Sequence, residues 1–256
     1  MKHPFYSSVN IIGLFAGILF VMLISSYVWS ELQVNKNLRH AKQQYFLQSV
    51  WKDQNMGLPI VTLAPVAKRL KEDYPNLVTN YYRWDGITSG VSKGDKNFRE
   101  GIQLGDSTIL NMYGFELLHG NKATALKDPY SAVITEAAAK KYFGKTDVVG
   151  ESITIQSFSG GKREFAITGV LKPISKISVT NLNENNNNNI FIPANTYTYF
   201  GRTDMENWNN TWIPSYIELK EGVDPRALEL PINRLIQYSQ TLRNPAKSPN
   251  ASRAKT

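Results

Sequence analysis

The feature that most constrains this chain is an apolar run near its start. No charged residue occurs from Pro4 to Ser30, and Val9 to Val28 is almost continuously apolar, with Ile11, Ile12, Leu14, Phe15, Ile18 and a run from Leu19 to Ile24. At 1.5 Å per residue, about 20 residues cross the roughly 30 Å hydrocarbon core of a bilayer. Tyr27 and Trp29 then fall where interfacial aromatics gather. Gly13 and Gly17 share one helix face, which lets a second helix approach closely; glycine is also simply frequent in membrane helices, and spacing alone does not separate these readings. A cleaved signal peptide is the rival to an anchor. The run exceeds the usual stretch of about 7–15 residues, and Val28-Trp29-Ser30 is a poor cleavage site, which favours an uncleaved helix over residues 9–29 behind a short cytoplasmic segment, residues 1–8. Lys2 precedes the run while Lys36, Arg39 and Lys42 follow it, so flanking charge does not decide its orientation.

The remainder is long enough to bury a sizeable core. Cysteine is absent, which excludes disulfides, thiolate metal sites, a cysteine nucleophile and a lipid-bearing cysteine. The net charge of +8 is unevenly spread: Arg234, Arg243, Lys247, Arg253 and Lys255 lie in a stretch from Leu230 onward that holds no acid. Elsewhere bases alternate with acids, as in Lys68-Arg69-Leu70-Lys71-Glu72-Asp73, and no basic stripe with interleaved aromatics points to nucleic acid.

Local patterns give a mixed α+β reading with short strands and a few packed helices. Glu31 to Gln44 is a polar stalk or continued helix, and Tyr45 to Trp51 is β-like. Val66, Leu70 and Tyr74 mark an amphipathic helix closed by Pro75. Strands are expected at Leu77–Trp84 and Gly86–Val91, then a turn at Lys93-Gly94-Asp95 and a strand over Phe98–Leu104. Asp106 is expected to cap a short helix carrying Ile109, Leu110 and Met112. Thr135 caps a helix from Glu136 to Phe143 that Gly144 ends, with Ala138, Tyr142 and Phe143 facing inward, and Gly150 permits the turn into the next strand. Strands at Ser152–Gln156 and Glu164–Leu171 flank a hairpin tip at Phe158–Lys162. Further strands follow at Ile190–Ile192 and Ser215–Leu219, then a helix from Pro225 to about Tyr238. The asparagine run Asn185 to Asn189 reads as a polar loop tip outside the core, and residues 243–256 as a disordered basic tail.

Chemistry-bearing constellations do not emerge. His3, His40 and His119 have no neighbour at ligand spacing, so no metal site is expected. Ser159-Gly160-Gly161-Lys162 lacks the spacing and helix of a phosphate loop, and no Gly-x-Ser-x-Gly elbow occurs. The carboxylates Glu72/Asp73 and Glu218/Glu221 read as solvated surface groups. Tyr81, Tyr82 and Trp84 suit a core strand better than a ligand groove. Trp208 and Trp212, four apart in a polar setting, suit either partner contact or cover of a loop.

Taken in order, the motifs resemble those of MacB/FtsX-type ABC transporter permeases, specifically the first membrane helix and the MacB-like periplasmic core domain. Val9-Asn10-Ile11-Ile12-Gly13-Leu14 is similar to the family's first membrane helix, and Tyr74-Pro75 to the end of its first domain helix. The most specific stretch runs from Asp106-Ser107-Thr108-Ile109-Leu110 through Gly114-Phe115-Glu116-Leu117-Leu118-His119-Gly120, Ala125-Leu126-Lys127-Asp128-Pro129 and Val133-Ile134-Thr135-Glu136 to Tyr142-Phe143-Gly144, ending on Val149-Gly150-Glu151-Ser152-Ile153. The resemblance implies a core domain over residues 45–242, of two α/β subdomains with one inserted in the other, joined by a stalk, residues 30–44, to the inner membrane. It treats Thr135, Gly144 and Gly150 as fold-defining, and implies no catalytic residue and no cofactor, ATP being used only by a separate cytoplasmic ATPase partner. Movement of the outer domain with ATP hydrolysis, dimers of permease subunits and contact with membrane lipid are implied in the same way. Family members carry further membrane helices beyond the domain, so the resemblance also reads this sequence as a fragment, a truncated gene product or a degenerate copy. The competing expectation is a single-pass, membrane-anchored extracytoplasmic sensor or binding module.

Overall fold

A computed structural model describes residues 4–50, 58–174, 179–180 and 188–243. Helix α1 (Pro4–Leu32) carries the apolar run. Its stretch from Ser8 to Leu32 is long and apolar enough to cross a membrane, and none of it is buried against the rest of the chain. A series of turns leads from α1 to a 3-10 turn, Ala41–Gln43, and then to strand β1 (Gln44–Leu47). Helix α2 (Val66–Asp73) begins after Pro65 and buries Val66, Ala67 and Leu70, while Arg69 reaches Glu72 and Asp73 on its wet face.

Strand β2 (Val78–Lys93) is one continuous strand of 16 residues rather than two. The sequence suggests a break at Asp85 because the strand changes partners there. Up to Arg83 it pairs antiparallel with β9 (Ser215–Leu219), and from Trp84 it pairs antiparallel with β3 (Lys96–Gly105) around the turn at Gly94. Beyond β3 lie α3 (Ile109–Tyr113), β4 (Leu117–Gly120), β5 (Ser131–Thr135), α4 (Glu136–Phe143), β6 (Ser152–Gln156), β7 (Lys162–Leu171) and β8 (Asn188–Pro193). A 3-10 segment, Ala194–Phe200, follows β8, and after β9 a 3-10 turn at Pro225–Leu228 opens into α5 (Glu229–Arg243).

Pairing resolves two parts that share β2. The smaller sheet is β1–β9 with the first half of β2, covered by α2 and α5 through Leu70, Val78, Ile217, Leu219, Leu228 and Leu235. The larger part is a ring in which β2, β3, β8, β5, β7 and β6 each pair with the next and β6 returns to β2 through Val91 and Ser92. Alternate residues of all six strands point into one core: Ile87 and Val91, Ile102 and Leu104, Ile190 and Ile192, Ala132 and Ile134, Phe165 and Ile167, Ile153 and Ile155. This two-residue period is what a closed barrel demands of its strands. Helix α4 adds Ala138, Ala139 and Tyr142 to that core. A third cluster, Tyr82, Trp84, Leu110, Met112, Tyr113, Phe115, Phe191 and Tyr216, packs α3 against strands of both parts. In chain order the ring falls between the first half of β2 and β9, inside the sequence of the smaller sheet.

Several local expectations are met and others are corrected. Thr135 Oγ1 accepts from the Ala138 amide, and Gly144 stands at φ 73°, so α4 begins and ends on its cap residues. The β6–β7 hairpin turns at Gly160. Strand β4 and the Ala194–Phe200 segment have no clear sequence signal. The asparagine run is not wholly a loop tip: Asn188 and Asn189 open β8, where buried Asn188 donates to the Thr180 carbonyl and Asn189 donates to Glu100. The other residues of the run, like the tail beyond Arg243, lie outside the described residues.

Candidate functional site

Among the described residues no group of three or more His, Asp or Glu side chains could hold a metal ion. The densest polar arrangement is structural in form and centres on Arg83, in the middle of β2 and only 2% exposed. Its Nε and Nη2 donate to the two oxygens of Asp106, each at 2.9 Å; Nη1 donates to the carbonyls of Ala64 and Met205, each at 3.0 Å; and Nη2 also donates to Glu206 at 2.9 Å. All five guanidinium hydrogens are thereby engaged, the condition under which a buried arginine is tolerable. Burial opposes the charge, yet hydrogen bonds and attraction from Asp106 and Glu206 more than offset it, so the Arg83 pKa is raised. Glu206 also reaches Lys68 on α2 at 3.1 Å. Burial pushes its pKa up, but Arg83 and Lys68 outweigh this and hold it below the usual carboxylate range.

This cluster corrects the capping role expected of Asp106. Its carboxylate accepts from the Arg83 amide as well as the guanidinium, and the residue at the start of α3 is Thr108, which makes no side-chain cap bond and instead donates to the Tyr81 carbonyl at 2.5 Å. A carboxylate 23 positions from its arginine leaves no local spacing to read. Glu218 is likewise no solvated carboxylate: it is buried on β9 and meets His40 Nδ1 at 2.5 Å, whereas Glu221 is exposed. Position along the strand sets the two apart: Glu218 lies within β9, whose residues are all buried, and Glu221 lies beyond its end.

Beside the point where β2 changes sheets, a cleft of about 600 Å³ is lined by Leu58, Ile60, Trp84, Asp85, Arg202, Trp212 and Ile213, among others. Asp85 has a raised pKa because burial outweighs Arg202, whose Nε lies 3.4 Å away, and the Tyr197 hydroxyl hydrogen bond. The two tryptophans part company here. Trp212 is 57% exposed on the cleft wall, while Trp208 is half-buried and packs edge-on against Tyr238 of α5, with ring centroids 5.6 Å apart. Tyr82 and Trp84 are core residues, though Trp84 also borders the cleft. Gly13 and Gly17 lie on α1 with nothing within 4 Å of the position a Cβ would take. Thr135 and Gly144 stand at opposite ends of α4, and Gly150, before β6, adopts φ 92° with its amide donating to the Ile167 carbonyl.

Comparison with known families resolves what such an assembly is. The profile of the MacB-like periplasmic core domain matches residues 7–235, from the apolar helix into the first half of α5. The chain belongs to this family. Solved structures agree in fold with this MacB-like domain. A domain of a protein described as a permease, from Porphyromonas gingivalis, is similar at TM-score 0.63 and 22% identity, over 79% of this chain and 86% of that one. The periplasmic region of MacB from Actinobacillus actinomycetemcomitans gives 0.54 and 12%, over 84% and 94%. The extracellular domain of the ABC-type transporter YknZ from Gram-positive bacteria gives 0.50 and 14%, over 77% and 92%. No curated protein sequence matches the chain at a significant level. The Arg83–Asp106 pair and the cleft by Trp212 are features that sequence spacing did not disclose in this MacB-like domain.

Proposed function

We propose that this chain is a non-catalytic transmembrane and periplasmic component of a MacB/FtsX-type ABC transporter, coupling ATP hydrolysis by a separate cytoplasmic ATPase to movement of its outer domain. The observation that carries this reading is the family match running unbroken from the apolar helix into the folded domain. Membership of the family supports a role as a component of an ABC-type permease. In this reading residues 9–29 span the inner membrane, 30–44 form the stalk and 45–242 form the outer domain. Its partners are the ATPase and a second permease subunit; ATP is bound by the ATPase alone.

The absence of native cysteine makes a direct test practical. Ser159→Cys at the hairpin tip and Glu221→Cys beyond β9 place two spin labels on exposed sites of the two parts of the domain. In a complex purified with the ATPase, addition of ATP is expected to shift the distance of either label to its counterpart in the second subunit. Failure of any ATPase to co-purify, or identical distances with and without ATP, refutes the coupling.

The cleft favours a second reading, a membrane-anchored binding module. The buried Trp84 Nε1 has no hydrogen-bond partner among the described residues, and the same ring borders the cleft with exposed Trp212. Saturable quenching of indole fluorescence that Trp212→Phe abolishes would support it; no saturable change across a peptide and small-molecule panel would exclude it.

A further inference from the structure

Strand β2 keeps one edge against β3 from Trp84 to Lys93, while its other edge changes occupants. Hydrogen bonds show which edge is which. The Arg83 carbonyl accepts from the Asp106 amide just after β3, and the Trp84 amide donates to the Pro214 carbonyl just before β9. Successive residues of a strand turn their backbone groups to alternate edges, so Gly86, like Trp84, addresses the lane that β9 occupies. That lane belongs to β9 up to Arg83 and to β6 at Val91 and Ser92. Beside Trp84, Asp85 and Gly86 no strand fills it among the described residues.

The chain leaves the lane at Pro214. Proline has no amide to offer β2, and Ile213 before it pairs instead with Thr62, whose amide donates to the Ile213 carbonyl at 3.0 Å. Both sides of this departure, Trp84, Asp85 and Gly86 together with Trp212, Ile213 and Pro214, line the cleft of about 600 Å³. Its chemistry defines what fits. The Asp85 carboxylate engages the Gly86 amide, so β2 offers the carbonyls of Trp84 and Gly86, which call for N–H donors. Leu58, Ile60 and Trp212 are exposed in the lining and provide surface for an apolar side chain. Asp85 and Arg202, the charged residues of the described lining, meet each other at 3.4 Å and leave no charge set aside for a chain terminus.

We propose that this lane takes an internal, uncharged segment of a partner polypeptide in extended form, which adds to β2 as a strand and lays an apolar side chain against Trp212. Gly86 suits the role, because a strand residue without a Cβ lets a second backbone come close. The proposal rests on the reading of the cleft as a binding site.

The test is fluorescence anisotropy of an end-blocked peptide, acetyl-Thr-Thr-Leu-Thr-Thr-amide, tagged with a fluorophore and titrated with the full chain in neutral detergent. Saturable binding is expected, weakened about tenfold or more by Trp212→Ala and kept by Leu230→Ala on the exposed side of α5. Untagged peptides then compete for the site. N-methylation of alternate amides should weaken competition about tenfold or more in one register and leave the other within about twofold, since a strand turns only every second amide to its neighbour. Equal effects in both registers overturn strand addition. A peptide with free termini that competes more strongly than the blocked one overturns an internal segment as the occupant. The neutral dye N-phenylnaphthylamine separates this proposal from the reading beneath it: dye bound in a manner that Trp212→Ala abolishes, with no peptide bound, overturns the segment and keeps the binding site, whereas binding of neither probe overturns both.

Discussion

Replacing Asp106 separates two physical roles that the sequence alone confuses. As a helix cap, Asp106 would contribute about 1 kcal/mol, and serine, an equally good cap, would replace it at little cost. As the partner of a buried arginine, its loss leaves Arg83 charged, 2% exposed and short of two hydrogen bonds, which costs about 3–5 kcal/mol. At roughly 2–4 °C per kcal/mol for a domain of this size, Asp106→Asn and Asp106→Ser should both lower the melting temperature by about 6–20 °C. The assay is thermal unfolding of the detergent-solubilised chain, followed by tryptophan fluorescence because Trp84 lies in the same core. A double-mutant cycle with Arg83→Met isolates the pair: the effect of Asp106→Asn should shrink sharply once the guanidinium is gone. The double variant will not regain full stability, because Arg83 also satisfies the Ala64 and Met205 carbonyls. A near-neutral Asp106→Ser, or the same loss with and without Arg83, would refute the reasoning.

Two further perturbations follow from close contacts and from burial. A Cβ on Gly105 would fall 2.4 Å from the Tyr82 hydroxyl and 2.8 Å from its ring, so Gly105→Ala should destabilise by about 1–3 kcal/mol in chemical denaturation, with an effect under 0.5 kcal/mol counting against this packing. Asp85, its pKa raised by burial, favours the folded state most when protonated; its contribution is complete below the unfolded carboxylate range and fades as pH rises through the raised folded value. Asp85→Asn should therefore flatten the pH dependence of the melting temperature across that window, and an unchanged profile would exclude the assignment.

The fold was legible where the determinant is local. Helix α4 lies between a threonine whose hydroxyl accepts the third amide on and a glycine at positive φ, and both are visible in ten consecutive residues. The β2–β3 and β6–β7 turns are similarly announced by Gly94 and Gly160. What stayed hidden depends on distant partners. Arg83 and Asp106 meet only because β2 and β3 fold back on each other, Glu218 is buried only because β9 lies between β1 and β2, and Asn188 finds the Thr180 carbonyl only once β8 has joined β3. Strand β4 is four residues long and, among the described residues, pairs with β7 alone, too short for its own alternation to show. Ordered resemblance to the family supplied the architecture that periodicity could not.

The strand shared by two sheets also governs how the domain can deform. Sixteen residues of extended chain reach roughly 50 Å, and β2 threads this length through both parts without a connecting loop. A loop would act as a universal joint; a paired strand resists bending and yields by torsion about its own axis. The two parts can therefore swivel against each other about β2 more readily than they can separate. Torsion about β2 would fall on Arg83, where the strand changes neighbours and three segments of chain converge on a single guanidinium.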